Sequence, residues 1–307
     1  MYTDEEGFRY PQIDLSKCVS CGLCRKVCPH KEGALEAHDI KYAFGGYLKD
    51  QQLRQDSTSG GAFSAIAESW CQDGYAVFGA AADGLEVFHS CVTDKEKLAV
   101  FRKSKYTQSK MGRSFIQAKE HLQKGKKVLF SGTPCQIAGL KQFLSNVPQE
   151  NLLTVEVVCE GIPSPQYLFS FQEDLKRRYG CGIAKIDYRN KDKPRWAFNV
   201  MKLTLENGGD IYIDRWINPF FTLWIGRLMS RPSCYGCPYT ARTGLADITL
   251  GDLWGVHQYC PELYGENKGA SLVLCNTEKG TAAFSAAQTL MLGHELDTSS
   301  VLAFQKR

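Results

Sequence analysis

Thirteen cysteines in 307 residues are the first chemical signal, and four of them fall together in Cys18-Val19-Ser20-Cys21-Gly22-Leu23-Cys24-Arg25-Lys26-Val27-Cys28-Pro29. The spacing C-x2-C-x2-C-x3-C-P is that of bacterial 4Fe-4S ferredoxins, where closely spaced thiolates grip successive corners of one cluster. In two-cluster ferredoxins the fourth cysteine of such a run ligates the other cluster. No second complete run is present here. Cys28 therefore either closes the cluster of Cys18, Cys21 and Cys24, or an upstream half of the module is missing from this chain. Structural zinc is the alternative for any four thiolates, but zinc sites usually pair two distant knuckles rather than packing four cysteines into so short a run.

A second constellation is dispersed. Cys135 stands in Ser131-Gly132-Thr133-Pro134-Cys135-Gln136, Cys159 ends an apolar run, and Cys234-Tyr235-Gly236-Cys237-Pro238 supplies a C-x2-C pair. A pair and two single cysteines on loops after strands can complete a second four-thiolate site. The alternative is that Cys135 and Cys159 are small buried hydrophobes, a common fate of free cysteine. For Cys71, Cys91, Cys181, Cys260 and Cys275, which have no such context, packing is the default reading. Two carboxylates, Glu160 and Asp252, are candidates for proton supply, since burial near a cofactor tunes a carboxyl group. A structural turn role for Asp252 remains open beside that one.

Composition narrows the setting. Hydrophobic residues at 43% and charged residues at 23% match an ordinary globular protein large enough to bury a core without disulfide staples. The net charge of +4 arises from 37 basic and 33 acidic residues with no block of one sign, so no nucleic-acid partner is expected. The most apolar stretch, Trp216 to Met229, is interrupted by Asn218, Pro219 and Arg227, and no membrane span is expected. The N-terminal Tyr2-Thr3-Asp4-Glu5-Glu6 is the opposite of a basic, then apolar, signal peptide. A cytoplasmic protein is the expectation, and metal ligation explains its cysteines better than disulfides.

The elements that must position these residues follow from periodicity. A strand pair is expected around Phe8 to Ile13, and an alanine-containing turn at Gly33 to Ala37. Helical spacing marks Ala62 to Trp70, Ser114 to Leu122 and Gln136 to Leu144. Tyr75 to Ala81, Val128 to Phe130 and Leu153 to Val158 read as strands. Strand, glycine-containing loop and helix N-terminus at Ser131 to Pro134 form a perch for an anion or cofactor that includes Thr133. A helix should follow Pro165, β-structure should span Lys185 to Ile213 with turns at Lys193-Pro194 and Asn207-Gly208-Gly209, and helices should recur near Phe220 to Met229 and Thr281 to Met291. The expected class is a mixed α/β fold, with residues 1–40 as a small ferredoxin-like module, truncated or naturally shortened, ahead of an α/β domain over 41–307, itself divided into 41–122 and 123–307.

Six blocks in order, Ser57-Thr58-Ser59-Gly60-Gly61, Ser104-Lys105-Tyr106-Thr107-Gln108-Ser109, Ser131 to Leu140, Cys159 to Pro165, Arg231 to Cys237 and Asp247 to Gly255, carry a resemblance over nearly the whole chain. The chain resembles the coenzyme F-420 hydrogenase/dehydrogenase beta-subunit family, which includes plant hydroxymethyl chlorophyll reductases and bacterial members of surface-polysaccharide clusters. The resemblance implies an FAD-containing fold in which Cys135, Cys159, Cys234 and Cys237 hold a 4Fe-4S cluster beside the flavin. It implies further that Ser57, Thr58, Ser59, Gly60, Gly61, Lys105, Tyr106, Gln108 and Ser109 line the flavin site. Glycines let backbone approach a ligand, hydroxyls bond ring or phosphate oxygens, and Lys105 neutralises a pyrophosphate or reduced flavin.

Two departures stand out. Bacterial members commonly read Cys-His-Gly-Val-Pro-Ser where this chain has Cys159-Glu160-Gly161-Ile162-Pro163-Ser164, and the family often carries two ferredoxin runs. The implied activity is that of an iron-sulfur flavoprotein oxidoreductase, passing electrons from a donor such as ferredoxin to a small-molecule or deazaflavin acceptor. The alternatives are an electron-transfer subunit of a larger complex without its own substrate, a homo-oligomer being equally open, and a zinc-stabilised binding module.

Overall fold

The computed structural model describes residues 1–30, 35–71, 74–192, 200–239, 244–264 and 267–305. The expected turn at Gly33 to Ala37 falls partly outside them, and Lys193-Pro194 wholly so. In chain order the strands are β1 Tyr2–Thr3, β2 Arg9–Tyr10, β3 Tyr42–Leu48, β4 Tyr75–Asp83, β5 Glu86–Val92, β6 Lys127–Gly132, β7 Leu152–Val157, β8 Ile183–Asp187, β9 Met201–Leu205, β10 Asp210–Ile213, β11 Ile248–Asp252, β12 Ser271–Cys275 and β13 Met291–Glu295. The helices are α1 Leu23–Lys26, α2 Gln51–Gln55, α3 Ala62–Trp70, α4 Ser114–Gln123, α5 Pro134–Phe143, α6 Pro165–Tyr179, α7 Pro219–Ile225, α8 Pro232–Tyr235, α9 Val256–Tyr259, α10 Pro261–Tyr264, α11 Glu278–Gln288 and α12 Thr298–Gln305, with a 3-10 turn over Lys95–Phe101.

The centre is an eight-stranded mixed sheet ordered β13-β3-β12-β11-β7-β6-β4-β5. Its middle strands β4, β6, β7 and β11 are mutually parallel, and β5, β12, β3 and β13 flank them with antiparallel pairings. The middle strands read as nearly continuous apolar runs because both faces are covered. One face packs Leu129, Leu153, Val155, Ile248 and Val273 against α3 and α11, and the other packs Val128, Phe130 and Leu152 against α4 and α5. A separate sheet β10-β9-β8 carries its own core with α6 and α7. The fold class is thus mixed α/β, as the alternation of strand and helix implied.

The N-terminal hairpin is shorter than the pattern suggested, pairing Tyr2 with Tyr10 and Thr3 with Arg9. Asp4 explains this, since its carboxylate accepts from Phe8 N at 2.7 Å and Glu6 N at 3.2 Å, closing a turn that Gly7 completes at φ 81°. Phe8 is fully buried while Ile13 lies exposed beyond the hairpin. Likewise the helical texture expected to reach Met291 stops at Gln288, because β13 begins at Met291 and pairs with β3.

Candidate metal and cofactor site

Parallel strands put their carboxyl ends on one edge of a sheet, and in open α/β sheets that edge is where ligands bind. The loop after β6 carries Thr133 and Cys135, the loop after β7 carries Cys159 and Glu160, and β11 ends at Asp252. Strand β3 is antiparallel to β12, which is antiparallel to β11, so β3 also runs out on this edge, toward Ser57 to Gly61.

Cys135 lies in the first turn of α5, behind Pro134, whose missing N–H costs nothing there. Thr133 N donates to Gln136 Oε1 at 2.9 Å, and Thr133 Oγ1 lies 3.3 Å from Cys135 Sγ. The positive end of this helix favours a thiolate. Burial pushes the Cys135 thiol up, the Thr133 hydroxyl opposes that, and the nearby Cys237 and Cys234 thiols push the same way as burial. Three of the four dispersed cysteines therefore gather. The Cys159 loop runs beside the Cys234 segment: Arg231 N donates to Ile162 O at 2.8 Å, and Ser164 N to Met229 O at 2.8 Å. Gly161, at φ 102°, presses so close that an added Cβ would touch Cys234 Cβ at 3.4 Å.

Gly244 to Ala246 are anchored by a buried carboxylate that sequence reading overlooked. Glu156, on β7 and fully buried, accepts from Gly244 N at 2.8 Å, Leu245 N at 3.2 Å, Ala246 N at 3.3 Å and Thr249 Oγ1 at 2.7 Å. The next residue of that stretch, Asp247, accepts from Thr154 N at 2.8 Å and Thr154 Oγ1 at 2.7 Å. Four charge-assisted hydrogen bonds offset the desolvation of the Glu156 carboxylate, though burial still raises its pKa.

Tyr239 joins the two cysteine sets. It is 4% exposed, packs with Ala138 and Leu245 against Cys135 and Cys237, and donates its hydroxyl to Pro29 O at 2.5 Å. Burial raises its pKa, and the Cys135, Cys237 and Cys28 thiols add to the rise. Pro29 itself reaches the α5 helix, 3.9 Å from where a Cβ on Gly139 would stand. Cys18, Cys21 and Cys24 are exposed free thiols around α1, and Cys28 is half-buried toward Tyr239. The all-thiolate chemistry of both donor sets fits iron-sulfur clusters.

The residues assigned to the flavin by resemblance gather around a buried cationic neighbourhood. Ser57 Oγ donates to Leu53 O at 2.7 Å, Ser59 Oγ to Ala270 O at 2.6 Å, and Thr58 Oγ1 accepts from Ser104 N at 2.8 Å. Gly60 is required by packing: a Cβ there would lie 2.3 Å from Gly46 O and 2.6 Å from Ser271 N. These side chains thus build the loop, in which Thr58 alone is not buried. Gly61, at φ 91°, stands at the N-cap of α3.

Lys105 donates to Arg102 O at 2.7 Å and Val100 O at 3.2 Å, with burial pushing its pKa down to about 7. Gln108 is a tether, accepting from Arg9 N at 2.8 Å and donating back to Arg9 O at 3.3 Å. Ser109 Oγ meets His89 Nδ1 at 2.6 Å, while His89 Nε2 meets Ser131 O at 3.1 Å. Burial holds His89 down to about 4, the Ser131 carbonyl resists, and Lys105 adds to the lowering.

The two proton-supply candidates separate. Asp252 is an ion-pair partner, 2.5 Å from Arg189 Nη1. Burial would lower the Arg189 pKa, but Asp252 and the Tyr106 hydroxyl raise it. Glu160 is exposed. Lys191, also unread in the sequence, donates to Arg54 O at 2.7 Å, Ser59 O at 2.7 Å and Lys268 O at 3.0 Å. Burial, then Lys103, Arg54 and Arg189, push it down to about 7. Lys103 sits 3.0 Å from Asp187. Lys103, Arg54 and Arg189 thus lie close enough to Lys191 to lower its pKa while Asp252 opposes them, and a cluster of cations suits an anionic cofactor.

A ferredoxin-like thiolate run on an α/β domain defines an iron-sulfur protein of the electron-transfer class. The profile described as "4Fe-4S binding domain" matches residues 11–31, and the profile for the C-terminal part of the "Coenzyme F420 hydrogenase/dehydrogenase, beta subunit" matches residues 125–293. The chain belongs to this family of beta subunits, as the order of its blocks implied. Among solved structures, the F420-reducing [NiFe] hydrogenase complex of Methanosarcina barkeri, studied with xenon, includes a chain of the same fold. The two share 19% identity over 84% of this chain and 83% of that one, with a TM-score of 0.58. No curated protein matches. No helix among the described residues is long and apolar enough to cross a membrane.

Proposed function

We propose that this chain is an iron-sulfur flavoprotein oxidoreductase that takes single electrons from a protein donor such as ferredoxin and passes them to a small-molecule or deazaflavin acceptor. When bound, two 4Fe-4S clusters supply one-electron relay and FAD supplies the step from single electrons to a pair. Cys18, Cys21, Cys24 and Cys28 are the ligands proposed for one cluster, and Cys135, Cys159, Cys234 and Cys237 for the other. The observation that carries this reading is Tyr239, which packs against Cys135 and Cys237 and bonds Pro29 O, next to Cys28. Two separate thiolate groups brought to one buried side chain serve a relay better than two structural zinc sites would.

FAD is assigned to the neighbourhood of the Ser57 to Gly61 loop, Lys105, Tyr106, Ser109 and Thr133, with Gln108 tying the N-terminal hairpin to the same region. The cations Arg54, Lys103, Arg189 and Lys191 favour its pyrophosphate. Asp252 orients Arg189, and no proton role is retained for it. The test is release of the chromophore from anaerobically purified, denatured protein. Chromatographic identification of FAD is expected, and absence of flavin even after reconstitution would overturn the flavin part.

A second reading, a subunit that delivers electrons within a larger assembly, is favoured by one observation. Ile13, Leu15, Val19 and Leu23 are 56–82% exposed around the ferredoxin-like run, where an apolar contact with a partner protein would bury them. Copurification of a stoichiometric partner that is lost on Leu15→Glu substitution supports that reading.

A further inference from the structure

Cys260, Glu262 and His294 have no part in the relay, and packing is the reading their sequence context supports for Cys260. In the fold they meet at the opposite end of the sheet. Cys260 links α9 to α10, Glu262 lies in the first turn of α10, and His294 lies on the edge strand β13. The β13 edge stands four strand spacings from β7 in the order of the sheet, roughly 19 Å, so the group is separate from the cluster cysteines.

Cys260 Sγ lies 3.1 Å from His294 Nε2, and Glu262 Oε1 lies 3.2 Å from the same nitrogen. The three ligand atoms all fall within 4.8 Å of one another. Convergence on a single ring nitrogen is chemically specific. A catalytic relay would use both imidazole nitrogens, one for the thiol and one for the carboxylate. Here one Nε2 proton can serve only one of the two partners, and an Nε2 lone pair faces a carboxylate that repels it. A divalent cation among the three atoms satisfies sulfur, nitrogen and oxygen together.

The dimensions suit such an ion. Tetrahedral zinc with Zn–S of about 2.3 Å and Zn–N and Zn–O of about 2.0–2.2 Å separates its ligands by roughly 3.4–3.6 Å. The sulfur–nitrogen and nitrogen–oxygen distances fall within about half an ångström of these values, and the sulfur–oxygen distance is at most 4.8 Å. The thiol is 3% exposed on a floor of Leu253, Val256, Leu263, Leu296 and Val301, while the imidazole and carboxylate side chains are 45% and 59% exposed at the rim. A dry base with an open mouth gives the ion an entry path.

We propose that Cys260, Glu262 and His294 form a zinc(II) site that staples the α9–α10 turn to the edge strand β13 and leaves the fourth position to water. A thiolate with an imidazole and one carboxylate selects zinc over magnesium or calcium, which prefer all-oxygen sites. Binding replaces the S–H bond of Cys260 with a Zn–S bond and releases that proton to solvent.

The test uses cluster-loaded protein, kept anaerobic, stripped of exchangeable metal with a chelator and desalted. Zinc is then titrated, zinc and iron per chain are measured together, and the thermal midpoint is followed. The wild type should take up about one zinc per chain with its iron unchanged, and its midpoint should rise with zinc concentration. His294→Ala and Glu262→Gln change exposed side chains, so both variants should fold. Each should weaken zinc binding by on the order of 100-fold and abolish the midpoint shift. No uptake by the wild type overturns the proposal, as does equal uptake by His294→Ala. So does uptake matched by loss of iron, which would place the zinc on the cluster cysteines.

Discussion

Lys105 brings a positive charge into a half-buried position where backbone carbonyls accept from it, and that has a consequence for stability. Its folded pKa of about 7 lies below the ordinary 10.5. Between those values the unfolded chain holds a proton that the folded chain does not, so stability rises with pH across that window. The cofactor-free protein should therefore gain denaturant midpoint from pH 7 toward pH 10, and Lys105→Met should flatten part of that slope. An unaltered slope in Lys105→Met would show that the lysine is hydrated in the folded chain. Bound FAD should reduce the slope also, since an anionic group favours the charged lysine.

Tyr239 makes the second residue-scale prediction. Tyr239→Phe keeps the ring and removes the hydroxyl bond to Pro29 O, which should cost about 1 kcal/mol of stability. Iron content should stay at the wild-type level, while reduction of the flavin by a one-electron donor slows as the Cys28 segment loosens from the Cys135 loop. Equal rates in the two proteins would show that the hydroxyl bond is not what couples the cysteine sets.

At the scale of elements, β7 does two jobs: it leads into Cys159, and from its interior Glu156 holds Gly244 to Ala246 and Thr249. Glu156→Gln places an amide N–H₂ against backbone donors and should destabilise the protein by about 3 kcal/mol, read as a lower urea midpoint. Iron should be lost preferentially from the Cys234–Cys237 set. Gly60→Ala should be comparably damaging, because its Cβ would collide with Gly46 O and force β3 away from the Ser57–Gly61 loop.

Local elements were the legible part of this fold. Ala62 to Trp70 forms a helix with the expected ends, since its apolar residues recur at helical spacing and Cys71 closes it. The strands β4, β6 and β7 stand within two residues of the expected ends because apolar runs between glycine or proline turns admit few alternatives. What single-sequence periodicity could not carry is the order of strands, which pairs β3 with β12 and β13 across more than two hundred residues. Glu156 and Lys191 were illegible for the same reason: their partners are backbone groups that only the sheet brings near. The Cys18–Cys28 run carries its chemistry in its spacing, whereas Cys135, Cys159 and Cys234–Cys237 were readable as a set only through resemblance. Gln108 and Ser57 also carry structural roles that resemblance did not give, since their side chains bond the Arg9 backbone and Leu53 O.

Over the whole molecule, one sheet edge collects a cysteine-bearing helix N-terminus, two cysteine loops and a cation-rich loop, while the ferredoxin-like run docks on it through Pro29 and Tyr239. The central claim is that a single chain holds two clusters on two separate cysteine sets. Iron counted per chain after anaerobic reconstitution tests this most directly, with Cys21→Ala and Cys234→Ala measured beside the wild type. The account predicts about eight irons per wild-type chain and about four in each variant, with Cys234→Ala keeping the spectrum of the exposed cluster and losing electron transfer to the flavin. About four irons in the wild type, unchanged by Cys234→Ala, would contradict it and leave the dispersed cysteines as packing.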